Sequence, residues 1–173
     1  MTPTRRVLRA KMAELARTLP PARTILEVGI AGDDPPGANR EFFRPTEGGL
    51  YATADINADL KPDLVMDITE VPEGLHTYDL VLCSQVLEHV WDLEAACLGL
   101  HRLTALGGRC IVDVPFLYPP HEDLGIPEDY WRLTPMGLTR LLHRAGFGKV
   151  EAWNDPAWLV TGAVATKELT HGG

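Results

Sequence analysis

The chain has 173 residues, a formal net charge of −8 and 45 % hydrophobic residues, which suits one domain (1–173) with an ordinary core and leaves too little for a second. The acidic balance argues against a general nucleic-acid binder, which would present a basic face to phosphates. The three cysteines, Cys83, Cys97 and Cys110, lack CxxC spacing and sit in apolar surroundings, so neither a disulfide framework nor a metal site is indicated. No run approaches the roughly 18 apolar residues that span a bilayer, and no signal-peptide pattern is visible. The expectation is a soluble protein in a reduced, cytoplasmic setting, without membrane or nucleic-acid partners.

In chain order, Thr4 is placed to cap a helix running to about Leu19, with Leu8, Met12, Leu15 and Leu19 on one stripe and arginines elsewhere. Packing over a sheet or over a site mouth explains this basic, amphipathic segment (1–19) better than a membrane surface or a transit peptide does. Pro20-Pro21 ends it, and Thr24 to Val28 reads as a buried strand entering a glycine turn at Gly29 and Gly32. The following Asp33-Asp34-Pro35-Pro36-Gly37 blocks a long helix, leaving a short helical piece near Ala38 to Phe43. Strand 2 is expected from Leu50 to Ala54, closed by Asp55, and strand 3 from Asp63 to Met66, closed by Asp67. Strand 4 runs from Tyr78 to Cys83, with Ser84 to Val90 as its exit loop. A helix from about Asp92 to Ala105 ends at Gly107-Gly108, and strand 5 covers Arg109 to Val114. Thr134-Pro135 opens a helix to about Ala145. Strands near Gly148 to Trp153 and Trp158 to Thr166 finish the chain, and their short link through Asn154-Asp155-Pro156 favours an antiparallel hairpin.

This alternation predicts an α/β fold: a doubly wound, Rossmann-like, three-layered architecture with a mostly parallel seven-stranded sheet and one antiparallel strand. Ligands in such sheets sit at the carboxyl ends of the strands, where the winding reverses. Glu27 lies near one of those ends, and a buried carboxylate costs on the order of several kcal/mol unless it meets a partner. Asp55 follows Gly32 by 23 residues, the spacing at which an acid on strand 2 accepts both hydroxyls of a ribose.

Leu26-Glu27-Val28-Gly29-Ile30-Ala31-Gly32, the acids Asp55 and Asp67, Tyr78-Asp79-Leu80-Val81 with Leu87-Glu88-His89-Val90, and Leu106-Gly107-Gly108-Arg109 together resemble the class I S-adenosylmethionine-dependent methyltransferases, in particular the small "type 11" group, over residues 24 to 147. The resemblance implies that Glu27, Gly29, Ala31 and Gly32 lie near the amino-acid end of S-adenosyl-L-methionine. Asp55 would hold the ribose diol, Asp67 with the backbone at Ile68 would address the adenine amino group, Ile56 would be a further cofactor-binding residue, and Ser84 and Gln85 would border the sulfonium. The sequence departs from the family pattern where Ala31 and Asp33 replace the second and third glycines. A dinucleotide-binding dehydrogenase, the competing use of the scaffold, would want its glycine turn to open directly into a helix, and Ala31 and Pro35-Pro36 argue against it.

Residues 115–135 form a long, proline-rich connection carrying Phe116, Tyr118, His121, Tyr130, Trp131 and Arg132, and such connections inside a domain are usually functional. His121 with Asp129-Tyr130-Trp131-Arg132 resembles a signature of a subset of these methyltransferases often found near glycan or natural-product pathways. The implied reaction moves a methyl group to an O or N of a small-molecule acceptor, leaving S-adenosyl-L-homocysteine. His121 is the first candidate for a general base and His89 the second, since a histidine near neutral pKa suits that role. Two other readings use the same scaffold: a catalytically inactive relative acting as a binding or regulatory subunit, and a cofactor-binding enzyme that does not methylate. The sequence also leaves a homodimer open.

Overall fold

Apolar runs bounded by turn residues supply the strands, and the computed structural model, which describes residues 2–30, 38–117 and 128–168, joins them in one sheet. The strands are β1 (Thr24–Val28), β2 (Leu50–Asp55), β3 (Leu64–Val65), β4 (Tyr78–Ser84), β5 (Thr104–Pro115), β6 (Lys149–Asn154) and β7 (Val160–Thr166). Their order is β3-β2-β1-β4-β5-β7-β6. The first five pair in parallel, and β7 runs antiparallel to both of its neighbours. The expected seven-stranded sheet with one antiparallel strand is the sheet observed. From β1 the chain winds outward to β2 and β3 and then returns to the other side of β1 at β4. That reversal places the switch-point crevice above β1 and β4.

Side chains alternate across the sheet, as period-2 strands require. On one face Ile25, Tyr51, Leu80, Leu82, Ile111 and Val164 meet Met12 and Leu15 of α1 (Pro3–Thr18). The opposite face, with Leu26, Val28, Val81, Cys83, Val112 and Ala163, packs on α2 (Leu93–Leu103) and α3 (Pro135–Arg144). These are the three expected layers, and each fully buried Leu or Ile adds about 1.5–3 kcal/mol. Cys83, Cys97 and Cys110 are all free and buried. No helix among the described residues is long and apolar enough to cross a membrane.

Several boundaries differ from expectation for identifiable reasons. Thr2, not Thr4, caps α1, accepting from the Arg5 amide at 3.3 Å; Pro3 occupies the first turn, where its missing N–H costs nothing, and Thr4 is buried. β3 is shorter than expected because the Asp63 carboxylate turns back onto β2 and accepts from the Thr53 amide and hydroxyl at 2.8 and 2.9 Å, replacing a ladder bond. β5 starts directly after α2, at Thr104, and its register against β4 shifts before Leu80 meets Arg109. β7 starts at Val160 rather than Trp158, because Asp155 accepts from the Ala157 and Val160 amides and closes a turn there.

Candidate active site

The crevice is built first by the turn after β1. Gly29 has φ +77, a left-handed value at which a side chain is strained, and an added Cβ would overlap Val86 on the turn after β4. The Gly29 amide donates to the Ala54 carbonyl at 2.9 Å. This geometry sends the next amide, Ile30, onto Asp55 Oδ2 at 2.8 Å, while Asn57 N donates to Asp55 Oδ1 at 2.8 Å. Asp55 is 7 % exposed and each oxygen keeps a second lone pair. Beside it Ile56 is 68 % exposed, an apolar side chain with no core to cover. Ala31 and Gly32 lie outside the described residues.

Glu27 is buried, and its partners explain how. Oε2 accepts from the Tyr51 hydroxyl at 2.8 Å, and Oε1 from the Asn39 amide and side chain at 3.2 and 2.7 Å. Burial, followed by the Glu27 charge, pushes the Tyr51 phenol well above its ordinary range. Glu27 thus ties the 3₁₀ turn at Ala38–Glu41 to β1 and β2. Asp67 Oδ1 accepts from the Thr69 amide and hydroxyl, both at 2.8 Å, which leaves Oδ2 without a partner among the described residues. Ile68 is buried against the core.

The turn after β4 is held from β5. Gln85 has φ +56, an uncommon conformation for a non-glycine residue. Asp113 Oδ1 accepts from Ser84 Oγ at 2.9 Å and from Gln85 Nε2 at 2.8 Å, and the Asp113 carbonyl accepts from the Gln85 amide at 2.9 Å. Asp113 is fully buried, and its Oδ2 has no hydrogen-bond partner among the described residues. Burial pushes its carboxyl up to about 6, against the lowering effect of the Gln85 and Ser84 hydrogen bonds. Sequence reasoning missed this residue, although the signal was present: a carboxylate inside Cys110-Ile111-Val112-Asp113-Val114 raises the same question as Glu27.

The described end of the 115–135 connection, residues 128–132, lies against the exit of β4. His89 Nδ1 is 3.1 Å from the Glu128 carbonyl, the Tyr130 amide donates to the Glu88 carbonyl at 2.7 Å, and Trp131 Nε1 donates to the Val90 carbonyl at 3.0 Å. His89 Nε2 stands 3.8 Å from Glu88 Oε1. Arg132 forks onto Asp129, with Nη2 to Oδ2 at 2.7 Å. Trp91, 70 % exposed, packs its ring on those of Tyr130 and Trp131 at 5.3 and 5.4 Å. Glu88, also missed, is buried with Oε2 lacking a partner among the described residues, and burial pushes it up to about 8 against the lowering effect of its own backbone amide, with Asp113 and Asp129 adding and Arg132 subtracting. Phe116 lies apart from this group, its ring 5.7 Å from Trp158. Tyr118 and His121 lie outside the described residues. Of the two base candidates, therefore, only His89 has a described position.

The family described as a methyltransferase domain matches residues 48–112, from the turn before β2 into β5. No curated protein matches the chain in sequence. Among solved structures, an S-adenosylmethionine-dependent methyltransferase from Archaeoglobus fulgidus is 16 % identical with a TM-score of 0.67, covering 94 % of each chain. The 1,6-didemethyltoxoflavin-N1-methyltransferase of Burkholderia thailandensis, solved with bound 1,6-didemethyltoxoflavin and S-adenosylhomocysteine, is 19 % identical with a TM-score of 0.60, covering 96 % of this chain and 77 % of that one. The CurJ carbon methyltransferase is 18 % identical with a TM-score of 0.66; 94 % of this chain is covered, and it spans about half, 54 %, of that protein.

Proposed function

We propose that this chain, which has the class I S-adenosylmethionine-dependent methyltransferase fold and a methyltransferase-domain sequence from 48 to 112, transfers a methyl group from S-adenosyl-L-methionine to an oxygen or nitrogen of a small-molecule acceptor, such as a sugar or a natural-product intermediate. The observation that carries the reading is Asp55. Its two oxygens are fixed by the Ile30 and Asn57 amides, so the lone pairs left over point from a rigid acid at the tip of β2. A vicinal diol supplies two donors to match them. Exposed Ile56 offers an apolar face for a purine, and Asp67 Oδ2 an acceptor for an exocyclic amine.

The bound cofactor would supply an electrophilic methyl on a cationic sulfur. The protein's task is then positioning, since alignment of a nucleophile about 3 Å from the methyl in a water-poor pocket removes much of the barrier. Ser84 and Gln85 border that end of the crevice. A hydroxyl acceptor must also lose a proton. His89 can take it at Nε2 when Nδ1 carries the hydrogen donated to the Glu128 carbonyl, and His121 is the alternative base on the same segment.

Calorimetric titration with S-adenosylhomocysteine tests the reading. The wild-type protein should bind, and Asp55→Ala should weaken binding by about 1.5–3 kcal/mol, the scale of hydrogen bonds to a charged group. An unchanged affinity would remove Asp55 from the role. No heat with either cofactor form would favour a catalytically idle, partner-binding protein instead.

A further inference from the structure

Asp113 is buried, bears an oxygen without a partner among the described residues, and belongs to no part of the reading above. Its other oxygen gathers the two side chains that leave β4, Ser84 and Gln85. Gln85 is held at φ +56, a left-handed conformation that strains a non-glycine residue and persists only where the surroundings enforce it. The next residue, Val86, packs directly over the bare Cα of Gly29, and Gly29 sets the turn that aims the Ile30 amide at Asp55. A continuous series of contacts thus runs from β5, through the β4 exit turn, to the acid at the tip of β2.

We propose that Asp113 is a positioning residue: its carboxylate clasps Ser84 and Gln85, fixes the left-handed turn after β4, and through Val86 and Gly29 holds the cofactor side of the crevice in its binding geometry. This role rests on the cofactor reading above. It requires an oxygen acceptor at Asp113 and a side chain at position 85 that resists a positive φ. Glycine adopts that φ without strain, so a glycine at 85 has no need of the clasp.

The test is a double-mutant cycle on S-adenosylhomocysteine affinity, measured by calorimetry well below the melting temperature on protein whose fold is checked by circular dichroism. Asp113→Ala should weaken binding at least tenfold, and Asp113→Asn, which keeps one acceptor oxygen, should stay within about threefold of wild type (roughly the separation expected between losing and keeping a hydrogen-bond acceptor). Gln85→Gly will have its own cost, but adding Asp113→Ala to it should cost less than a further twofold. A purely structural Asp113 would lower the melting temperature and leave the affinity of the folded protein alone. If Asp113→Ala does not fold, Ser84→Ala takes its place, with a loss of severalfold expected in the wild-type background and none in Gln85→Gly. Absence of binding by the wild-type protein would remove the cofactor reading and this role together. Wild-type binding with equal losses in both backgrounds, or with no loss in either, would overturn the positioning role alone.

Discussion

Replacing Glu88 with Gln should make the protein more resistant to alkaline pH, and the structure sets the size of the effect. Glu88 is 1 % exposed, with one carboxyl oxygen unpartnered among the described residues, and burial raises it from its ordinary 4.5 to about 8. The folded protein therefore keeps this proton up to about pH 8, whereas the unfolded chain releases it near 4.5. The native state binds more protons throughout that window, so its stability is full below pH 4.5 and is lost as pH rises through 8. One proton contributes about 1.4 kcal/mol per pH unit, and integration between pH 6 and 9 gives a loss of about 2.5 kcal/mol. For a chain of this size that is roughly 5–10 °C in Tm. Glu88→Gln keeps the volume and cannot ionise, so its stability advantage over wild type should grow by about that amount from pH 6 to pH 9. Contributions from other groups cancel in the difference, and that of Asp113, raised only to about 6, falls mainly at lower pH. Urea denaturation of both proteins at half-unit pH steps measures this directly. Parallel stability curves from pH 6 to 9 would refute the burial argument for Glu88.

Gly29→Ala must place a Cβ at φ +77 and into Val86, so about 1–2 kcal/mol of backbone strain and about 1–3 kcal/mol of overpacking should lower thermal stability; an unchanged melt would show that the turn can open at no cost. With a hydroxyl acceptor, His89→Ala should reduce kcat about 10²- to 10⁴-fold while S-adenosylhomocysteine affinity stays constant, and retained turnover across pH 6 to 9 would eliminate His89 as the base. Trp91→Ala removes an exposed ring that touches Tyr130 and Trp131; it should raise KM for the acceptor without altering cofactor affinity, and an unchanged KM would place that aromatic corner outside the acceptor path.

The strands were readable because each is an apolar run closed by a turn residue or an acid, and local pattern is enough for that. Partners across the sheet are another matter. Glu27 stood out as a buried charge that needed an explanation, yet the groups that satisfy it, Asn39 and Tyr51, reach it only after β1, β2 and the 3₁₀ turn have assembled. The capping of α1 was misassigned by two residues because Thr2-Pro3-Thr4 offers two hydroxyls, and only the proline's preference for the first turn separates them. Ser84 and Gln85 were selected through a family resemblance. What holds them is Asp113, 29 and 28 residues away, and no local periodicity carries that information. Glu88 belongs to the Leu87-Glu88-His89-Val90 motif, which by itself assigns it no role. Its burial depends on the 128–132 segment folding back over the β4 exit, a contact decided by tertiary structure.

The acids at the sheet edge share an arrangement that makes conservative replacements informative. Asp55 accepts one backbone amide on each oxygen, both at 2.8 Å, so it organises the turns after β1 and β2 before any ligand arrives. Asn would preserve shape and keep one acceptor, but whichever way its amide is turned, an NH₂ faces either the Ile30 or the Asn57 amide. Two donors then oppose each other at a position 7 % exposed, where little water can intervene. The cost of one unsatisfied buried donor is about 1–3 kcal/mol, and it should appear in the unliganded protein as a lower urea midpoint with an unchanged m-value. A contact made only with the ribose would leave the unliganded midpoint untouched. Asp55→Asn therefore separates the two roles: a lower midpoint establishes the turn-organising role, whereas a wild-type midpoint with weakened S-adenosylhomocysteine binding would leave Asp55 a ligand contact alone and refute the claim that it holds the turns.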